Sequence, residues 1–102
     1  MADTVFTRQD GELTVKPFGR LDTATSPILE REMAPLLEGE THVTMDFSDV
    51  EYISSGGLRV LLAAEQELES RGGRLRLIHV NQHIIDIFEM VGFLDIVQVD
   101  RD

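Results

Sequence analysis

The chain has 102 residues with a formal net charge of −10, and 42% of its residues are hydrophobic. This length is sufficient for one hydrophobic core, so we predict a single domain over residues 1–102. The sequence contains no cysteine, which excludes disulfides, thiolate metal ligands and cysteine catalysis, and its acidic balance disfavours binding to the phosphate backbone of nucleic acids.

The chain begins with a pattern typical of a β-hairpin. Residues 5–9 form the first predicted strand, and residues 13–18 alternate apolar and polar side chains as the second one. Asp10-Gly11 lies between them and is a dipeptide that two-residue hairpin turns favour. Pro17 cannot donate a hydrogen bond to a neighbouring strand, so it belongs at a strand end or edge, and residues 19–22 are expected to leave the strand.

A helix and a further strand follow the hairpin. The helix is predicted to begin near Pro27 and to end at Gly39, because apolar residues recur between them at helical spacing. Pro35 is expected to kink or shorten this helix, since proline lacks a backbone N–H. Residues 41–47 then alternate apolar and polar side chains, which predicts a strand.

The second half of the chain repeats the alternation of helices and strands. Residues 58–71 are predicted to form a second helix, and residues 74–80 a strand with one buried face. Asn81 is expected to cap a third helix that ends at Gly92, and residues 96–99 suggest a last short strand. The predicted order is β-β-α-β-α-β-α-β, which indicates an α/β fold with a mixed β-sheet and helices packed against it.

The segment between the central strand and the second helix carries the candidate chemistry. It passes through an acidic turn with Asp46, Asp49 and Glu51 and reaches Ser-Ser-Gly-Gly at residues 54–57. The first N–H groups of a helix have no intrahelical partner, and they lie at the positive end of the helix dipole. A serine there can cap the helix, and a phosphate there would find donors, so the segment is either a structural cap or a chemical switch. A paired-carboxylate acid–base site is conceivable, but acidic residues are common in the loops of so acidic a chain.

No pattern in the sequence indicates an enzyme. The Ser-Ser-Gly-Gly segment lacks the lysine of a phosphate-binding P-loop, and the Gly-x-Ser-x-Gly of a nucleophile elbow is absent. His42, His79 and His83 have neither the spacing of metal ligands nor an arrangement that identifies a catalytic base. We therefore expect a protein that is not an enzyme and holds no metal and no cofactor.

Two further expectations concern the surface and the location of the chain. Glu65, Glu67 and Glu69 are predicted to form a solvent-exposed face of the second helix. The first ten residues lack a basic segment followed by an apolar one, and no apolar stretch approaches the length of a membrane span. We therefore expect a cytoplasmic protein with no membrane partner.

Three separated segments resemble one known family in register. Residues 45–62 resemble the signature of the STAS domain, and more narrowly that of bacterial anti-sigma factor antagonists, in which an acidic turn and a pair of serines precede an apolar helix. Phe-Gly-Arg-Leu-Asp at residues 18–22 is similar to the segment that follows the second strand in that family. Ile87-Phe88 and Gly92-Phe93 are similar to its last helix and turn. The resemblance implies a single STAS domain.

The resemblance also implies a protein-binding switch rather than a catalyst. Such antagonists bind an anti-sigma factor that has serine kinase activity, and binding frees the sigma factor. Phosphorylation of one serine ends the association, and a PP2C-type phosphatase restores it. The candidate partner-binding residues are Asp22, Thr23, Asp49, Tyr52, Ser54, Ser55, Gly56, Gly57 and Arg59.

The position of the phosphorylated serine departs from the best-known pattern of the family. When the segments are aligned on Gly57, Ser54 occupies the usual acidic position and Gly56 occupies the usual phosphoserine position. Glycine has no hydroxyl that could accept a phosphate. The acceptor is therefore expected to be one of the two serines before Gly56, and we favour Ser55, with Ser54 as the alternative. Two other interpretations stay open: both serines only cap the helix, or the chain is a non-phosphorylated STAS adaptor subunit of a transporter or sensor complex.

Overall fold

The computed structural model describes residues 4–100 and contains two β-sheets and three α-helices in that range. The strands are β1 (Val5–Gln9), β2 (Glu12–Lys16), β3 (Phe18–Leu21), β4 (His42–Asp46), β5 (Asp49–Ile53), β6 (Arg74–Ile78) and β7 (Gln98–Val99). The helices are α1 (Ser26–Leu37), α2 (Ser55–Glu69) and α3 (Gln82–Met90), and a 3-10 turn covers Phe93–Asp95. The ends of the predicted domain, residues 1–3 and 101–102, lie outside the described residues.

The main sheet has the strand order β1-β2-β4-β6-β7. β1 and β2 are antiparallel, and Asp10 and Gly11 between them have positive φ angles of 54° and 80°. Positive φ at both central positions is typical of the hairpin turn with two residues, so the predicted hairpin is confirmed. The other neighbours pair in parallel. The α/β fold with a mixed sheet is therefore confirmed.

A second, two-stranded sheet was not predicted. Its strands β3 and β5 pair in parallel, and the pairing includes Leu21 opposite Ile53. Residues 19–22 leave the second strand as predicted, since β2 ends at Lys16. The sequence did not indicate that residues 18–21 then form a further strand, in which Gly19 has a φ of 84° and which pairs with β5. Parallel pairing brings the carboxyl ends of β3 and β5 to one place, and the N–H of Ser54 donates to the Leu21 carbonyl at 2.9 Å.

The helices pack on the strands around one continuous core. α1 packs against α2, α2 against β6, and α3 against β5. α1 continues to Leu37 and is not ended by Pro35, which lies inside it. The largest fully buried side chains come from both sheets and all three helices: Leu13, Leu21, Leu29, Met33, Met45, Phe47, Ile53, Leu61, Leu68, Leu75, Leu77 and Phe88.

The predicted exposure of Glu65 is wrong, because this side chain is only 2% exposed. Glu65 lies four residues after Leu61 and three before Leu68, so helical periodicity puts it on the buried face. Its Oε1 accepts a hydrogen bond of 2.8 Å from the N–H of Leu75 in β6. Burial raises the pKa of Glu65 because it disfavours the charged form. Glu67 is half-buried, and Glu69 is exposed as expected.

The predicted cap of the third helix is confirmed. Asn81 precedes α3, and its Oδ1 accepts a hydrogen bond of 2.9 Å from the N–H of Ile84. Its Nδ2 donates to the Val50 carbonyl at 3.1 Å, so the same side chain links α3 to β5. Gly92 follows the helix with a φ of 74°. The last strand is shorter than predicted and consists of Gln98–Val99.

Candidate functional site

The candidate site is the start of α2, which we call the α2 junction and define as Ser54, Ser55, Gly56 and Gly57. α2 begins at Ser55, three residues earlier than predicted, so the Ser-Gly-Gly part of the segment forms its first turn. Ser54 is the extended residue before the helix, and its carbonyl accepts the N–H of Leu58 at 3.0 Å. The N–H groups of the first turn have no carbonyl within the helix to bind, so they point out of its positive end.

Gly57 allows α2 to begin directly on the ends of β3 and β5. A Cβ at this position would lie 2.6 Å from Cγ1 of Ile53 and 2.9 Å from the carbonyl oxygen of Leu21. Both distances are shorter than van der Waals contact, and the second atom belongs to backbone that is held in a strand. Only glycine therefore permits this approach, which fixes the α2 junction against the second sheet.

The two serines of the α2 junction differ in accessibility. Ser55 is exposed at the first position of the helix. Ser54 is half-buried, and its Oγ is buried with no hydrogen-bond partner among the described residues. The expectation that serine side chains cap α2 fails for Ser54, whose side chain makes no capping hydrogen bond. Only the Ser55 hydroxyl is therefore accessible to a second protein.

Asp22 organises the loop that faces the α2 junction. Its Oδ1 accepts hydrogen bonds of 3.0 Å from the N–H groups of Ala24 and Thr25. The hydrogen bond from the Thr25 N–H is the main reason that the pKa of Asp22 is lowered. Its main-chain carbonyl accepts the N–H of Ser26 at 2.9 Å, so Asp22 holds the start of α1. Thr23 is exposed at the tip of this loop.

Tyr52 lies in a cluster that the sequence did not predict. The guanidinium carbon of Arg20 lies 4.3 Å from the centre of the Tyr52 ring, and His83 stacks on this ring with centroids 6.4 Å apart. Arg20 and Tyr52 are opposite each other in the β3–β5 pair. Asp49, at the other end of β5, is exposed and lies 3.5 Å from Nζ of Lys16. Asp49 and Tyr52 therefore belong to one strand that leads into the α2 junction.

An apolar groove runs beside Ser55 along α2. We call it the α2–α3 groove, and its walls include Ser55, Leu58, Arg59, Leu62, Val91, Phe93 and Ile96. Three of the most exposed large apolar side chains belong to this region of the chain: Met90 at 83%, Val91 at 54% and Ile96 at 42%. The sequence predicted that Val91 lies within the third helix and that Ile96 begins the last strand. In the structure Val91 follows the last residue of α3, and Ile96 follows the 3-10 turn, so both lie outside the regular elements.

Residues 4–100 contain neither a candidate metal site nor a candidate membrane span. No group of three histidine, aspartate or glutamate side chains there could hold a metal ion. His42, His79 and His83 are all exposed. No helix in this range is both long and apolar enough to cross a membrane.

Comparison with known proteins links this chain to one family. The STAS domain model matches residues 3–102. The Bordetella bronchiseptica protein BtrV, whose name describes an anti-sigma factor antagonist, is 37% identical over 91 residues, which cover 88% of this chain and 78% of that protein. The anti-sigma-B factor antagonist of Bacillus subtilis is 26% identical over 92 residues, which cover 90% of this chain and 84% of that protein.

Solved structures share the fold. A crystal structure of a Thermotoga maritima protein, whose title describes an anti-sigma factor antagonist, has a TM-score of 0.90 at 20% identity and covers 97% of this chain and 86% of that one. The phosphorylated form of the Bacillus cell fate determinant SpoIIAA has a TM-score of 0.74 at 16% identity and covers 98% of this chain and 93% of that one. At these identities the likeness concerns the fold alone.

Proposed function

The chain belongs to the STAS domain family, and we propose that it is an anti-sigma factor antagonist controlled by phosphorylation of Ser55. It binds a cytoplasmic anti-sigma factor that has serine kinase activity, and this binding releases the sigma factor. The observation that carries the proposal is that Ser55 is exposed at the first position of α2, beside the α2–α3 groove. The relatives named as anti-sigma factor antagonists support the same assignment.

Accessibility favours Ser55 over Ser54 as the phosphorylated residue. A kinase transfers phosphate only to a hydroxyl that it can contact, and the Ser54 Oγ is buried. A phosphate adds about −1.5 to −2 charges at neutral pH. At the first position of α2 this charge lies at the positive end of the helix dipole, which stabilises the phosphorylated free protein.

The same phosphate ends the association because it lies at the edge of the α2–α3 groove. An apolar side chain of the anti-sigma factor that enters the groove covers surface next to Ser55. The phosphate then has to lose water without gaining a partner, which costs free energy in the complex and not in the free protein. Hydrolysis of the phosphoserine by a PP2C-type phosphatase restores the apolar surface and hence the binding.

The partner-binding surface extends from the groove to the loop of Asp22 and the strand β5. Thr23, Gly56 and Arg59 line one recess next to the α2 junction, so they form a continuous surface with it. Asp49 and Tyr52 extend this surface along β5. The proposal assigns them contacts with the anti-sigma factor and assigns no catalytic activity to the chain.

Phosphorylation with site-specific variants tests the proposal. The chain is incubated with its anti-sigma factor and ATP, and the phosphopeptides are identified by mass spectrometry. We expect one phosphate, carried by Ser55, and none on the Ser55→Ala variant. Ser54→Ala is the matched control and should accept phosphate at the parent rate. Equal phosphorylation of Ser55→Ala and the parent would contradict the assignment.

A second candidate function is a non-phosphorylated adaptor subunit of a transporter or sensor complex. Gly56 favours it, because this residue stands at the usual phosphoserine position of the family and cannot accept phosphate. The adaptor predicts a complex that survives incubation with ATP and carries no phosphate. Dissociation on addition of ATP excludes the adaptor and supports the switch.

A further inference from the structure

A small recess lies between the start of α1 and the α2 junction. Its volume is about 160 Å³, and the side chains and backbone that line it include Thr23, Ser26, Pro27, Glu30, Gly56 and Arg59. It is separate from the α2–α3 groove, although Arg59 borders both. Two helices begin at this recess, and the positive ends of their dipoles are therefore close together.

Two serine hydroxyls at this recess have no hydrogen-bond partner among residues 4–100. Ser26 is 2% exposed, and its Oγ is unpaired, as is the buried Oγ of Ser54. Both oxygens border the space that a side chain at Gly56 would fill, since a Cβ there would lie 3.7 Å from Oγ of Ser26 and 3.6 Å from Oγ of Ser54. A buried hydroxyl without a partner is costly, so this arrangement indicates a ligand.

We propose that the recess binds a phosphoryl oxyanion, with one of its oxygens in the space above Gly56. The Ser26 and Ser54 hydroxyls donate to that oxygen after rotation about their Cα–Cβ bonds. The first N–H groups of α2 and the Arg59 guanidinium are the other donors. Glu30 at the rim opposes the charge of the anion, so it limits affinity. A tetrahedral anion suits the recess because its oxygens can meet donors on several sides.

Two sources can supply this chemistry: free inorganic phosphate, or a phosphoryl group carried by Ser55 at the neighbouring position. The inference does not rest on the proposed function, because binding of free phosphate requires neither a kinase nor an anti-sigma factor. Failure of the phosphate experiment would therefore leave the proposed function untouched, and the reverse also holds.

Nuclear magnetic resonance with inorganic phosphate as the probe tests the inference. The unphosphorylated chain is labelled with ¹⁵N and titrated with sodium phosphate at constant ionic strength, with sodium chloride as the parallel titration. We expect saturable shifts of the Gly56 and Gly57 amide signals with phosphate and not with chloride. Ser26→Ala should weaken binding about tenfold through loss of one charge-assisted hydrogen bond. Ser48→Ala, which changes an exposed serine outside the recess, should bind as the parent does.

Thermal unfolding separates loss of the ligand site from loss of the fold. Ser26→Ala removes an unpaired buried hydroxyl, so its Tm should equal or exceed that of the parent. Gly56→Ala is a second variant, and its methyl group fills the space between the two hydroxyls at ordinary contact distances. It should abolish phosphate binding and keep the fold. Glu30→Gln should tighten binding severalfold, because it removes a negative charge from the rim.

Three results would overturn the inference. They are the absence of a saturable shift, equal shifts with phosphate and chloride, and unchanged phosphate affinity in both Ser26→Ala and Gly56→Ala. If the chain phosphorylated on Ser55 no longer binds free phosphate, and Ser26→Ala changes the ³¹P shift of its phosphoserine, the attached phosphoryl group is the ligand. If the phosphorylated chain binds free phosphate as well as the parent does, the free anion is the ligand.

Discussion

Replacing Gly57 by alanine tests whether the second sheet fixes the position of the α2 junction. The new methyl group would lie 2.6 Å from Cγ1 of Ile53 and 2.9 Å from the carbonyl oxygen of Leu21. Ile53 is 2% exposed and Leu21 is fully buried, so neither can move away without disturbing the core. Forcing atoms into a packed site costs about 1–3 kcal/mol, which exceeds the gain of up to about 1 kcal/mol from alanine in a helix.

Gly56→Ala is the matched control, because it makes the same chemical change one residue earlier in the same helical turn. Its methyl group would meet its nearest neighbours at 3.6–3.7 Å, which is ordinary contact. We therefore expect Gly56→Ala to raise the free energy of unfolding by about 0.5–1 kcal/mol and Gly57→Ala to lower it by about 1–2 kcal/mol.

Urea unfolding followed by circular dichroism measures both variants. The midpoints should move in opposite directions while the denaturant slope stays that of the parent. Equal effects of the two substitutions, or stabilisation by Gly57→Ala, would refute the close approach of α2 to β3 and β5. The proposed position of Ser55 would then lose its structural basis.

Two further predictions concern the buried carboxyl group and the apolar groove. The folded state raises the pKa of Glu65, so the stability that its neutral form contributes is lost as the pH rises through that pKa. Urea unfolding at a series of pH values should therefore show Glu65→Gln gaining stability relative to the parent as the pH rises above 4.5, the ordinary pKa of glutamate. A stability difference that does not change with pH would contradict the effect of burial. Val91→Ser should weaken binding to the anti-sigma factor about tenfold, because apolar surface no longer becomes buried. Isothermal calorimetry measures the dissociation constant, and Val5→Ser is the control, since Val5 is 56% exposed and Val91 is 54% exposed. Equal losses of affinity in the two variants would exclude the α2–α3 groove as the interface.

Features that depend on a few neighbouring residues could be predicted from the sequence. The hairpin turn at Asp10-Gly11 needs only two residues that accept positive φ. The start of α3 needs only Asn81, whose side chain accepts a hydrogen bond from the N–H three residues later. The main sheet followed from alternating apolar residues, whose period identifies strands regardless of their partners.

Features that depend on distant residues could not be predicted. β3 is only four residues long, and its partner β5 begins 28 residues after the end of β3. The residues around each strand therefore do not indicate which strand it pairs with. The different burial of Ser54 and Ser55 follows from this pairing, because it places the start of α2 against the second sheet. Glu65 is an exception, since the spacing from Leu61 and Leu68 already indicated the buried face of α2.

The affinity of the anti-sigma factor for the chain with and without phosphate on Ser55 tests the proposed switch most directly. Both forms are titrated by isothermal calorimetry under one set of conditions, and mass spectrometry verifies that Ser55 alone is modified. The proposal predicts that the phosphate weakens binding by at least about tenfold, or about 1.4 kcal/mol. Equal dissociation constants for the two forms would contradict it.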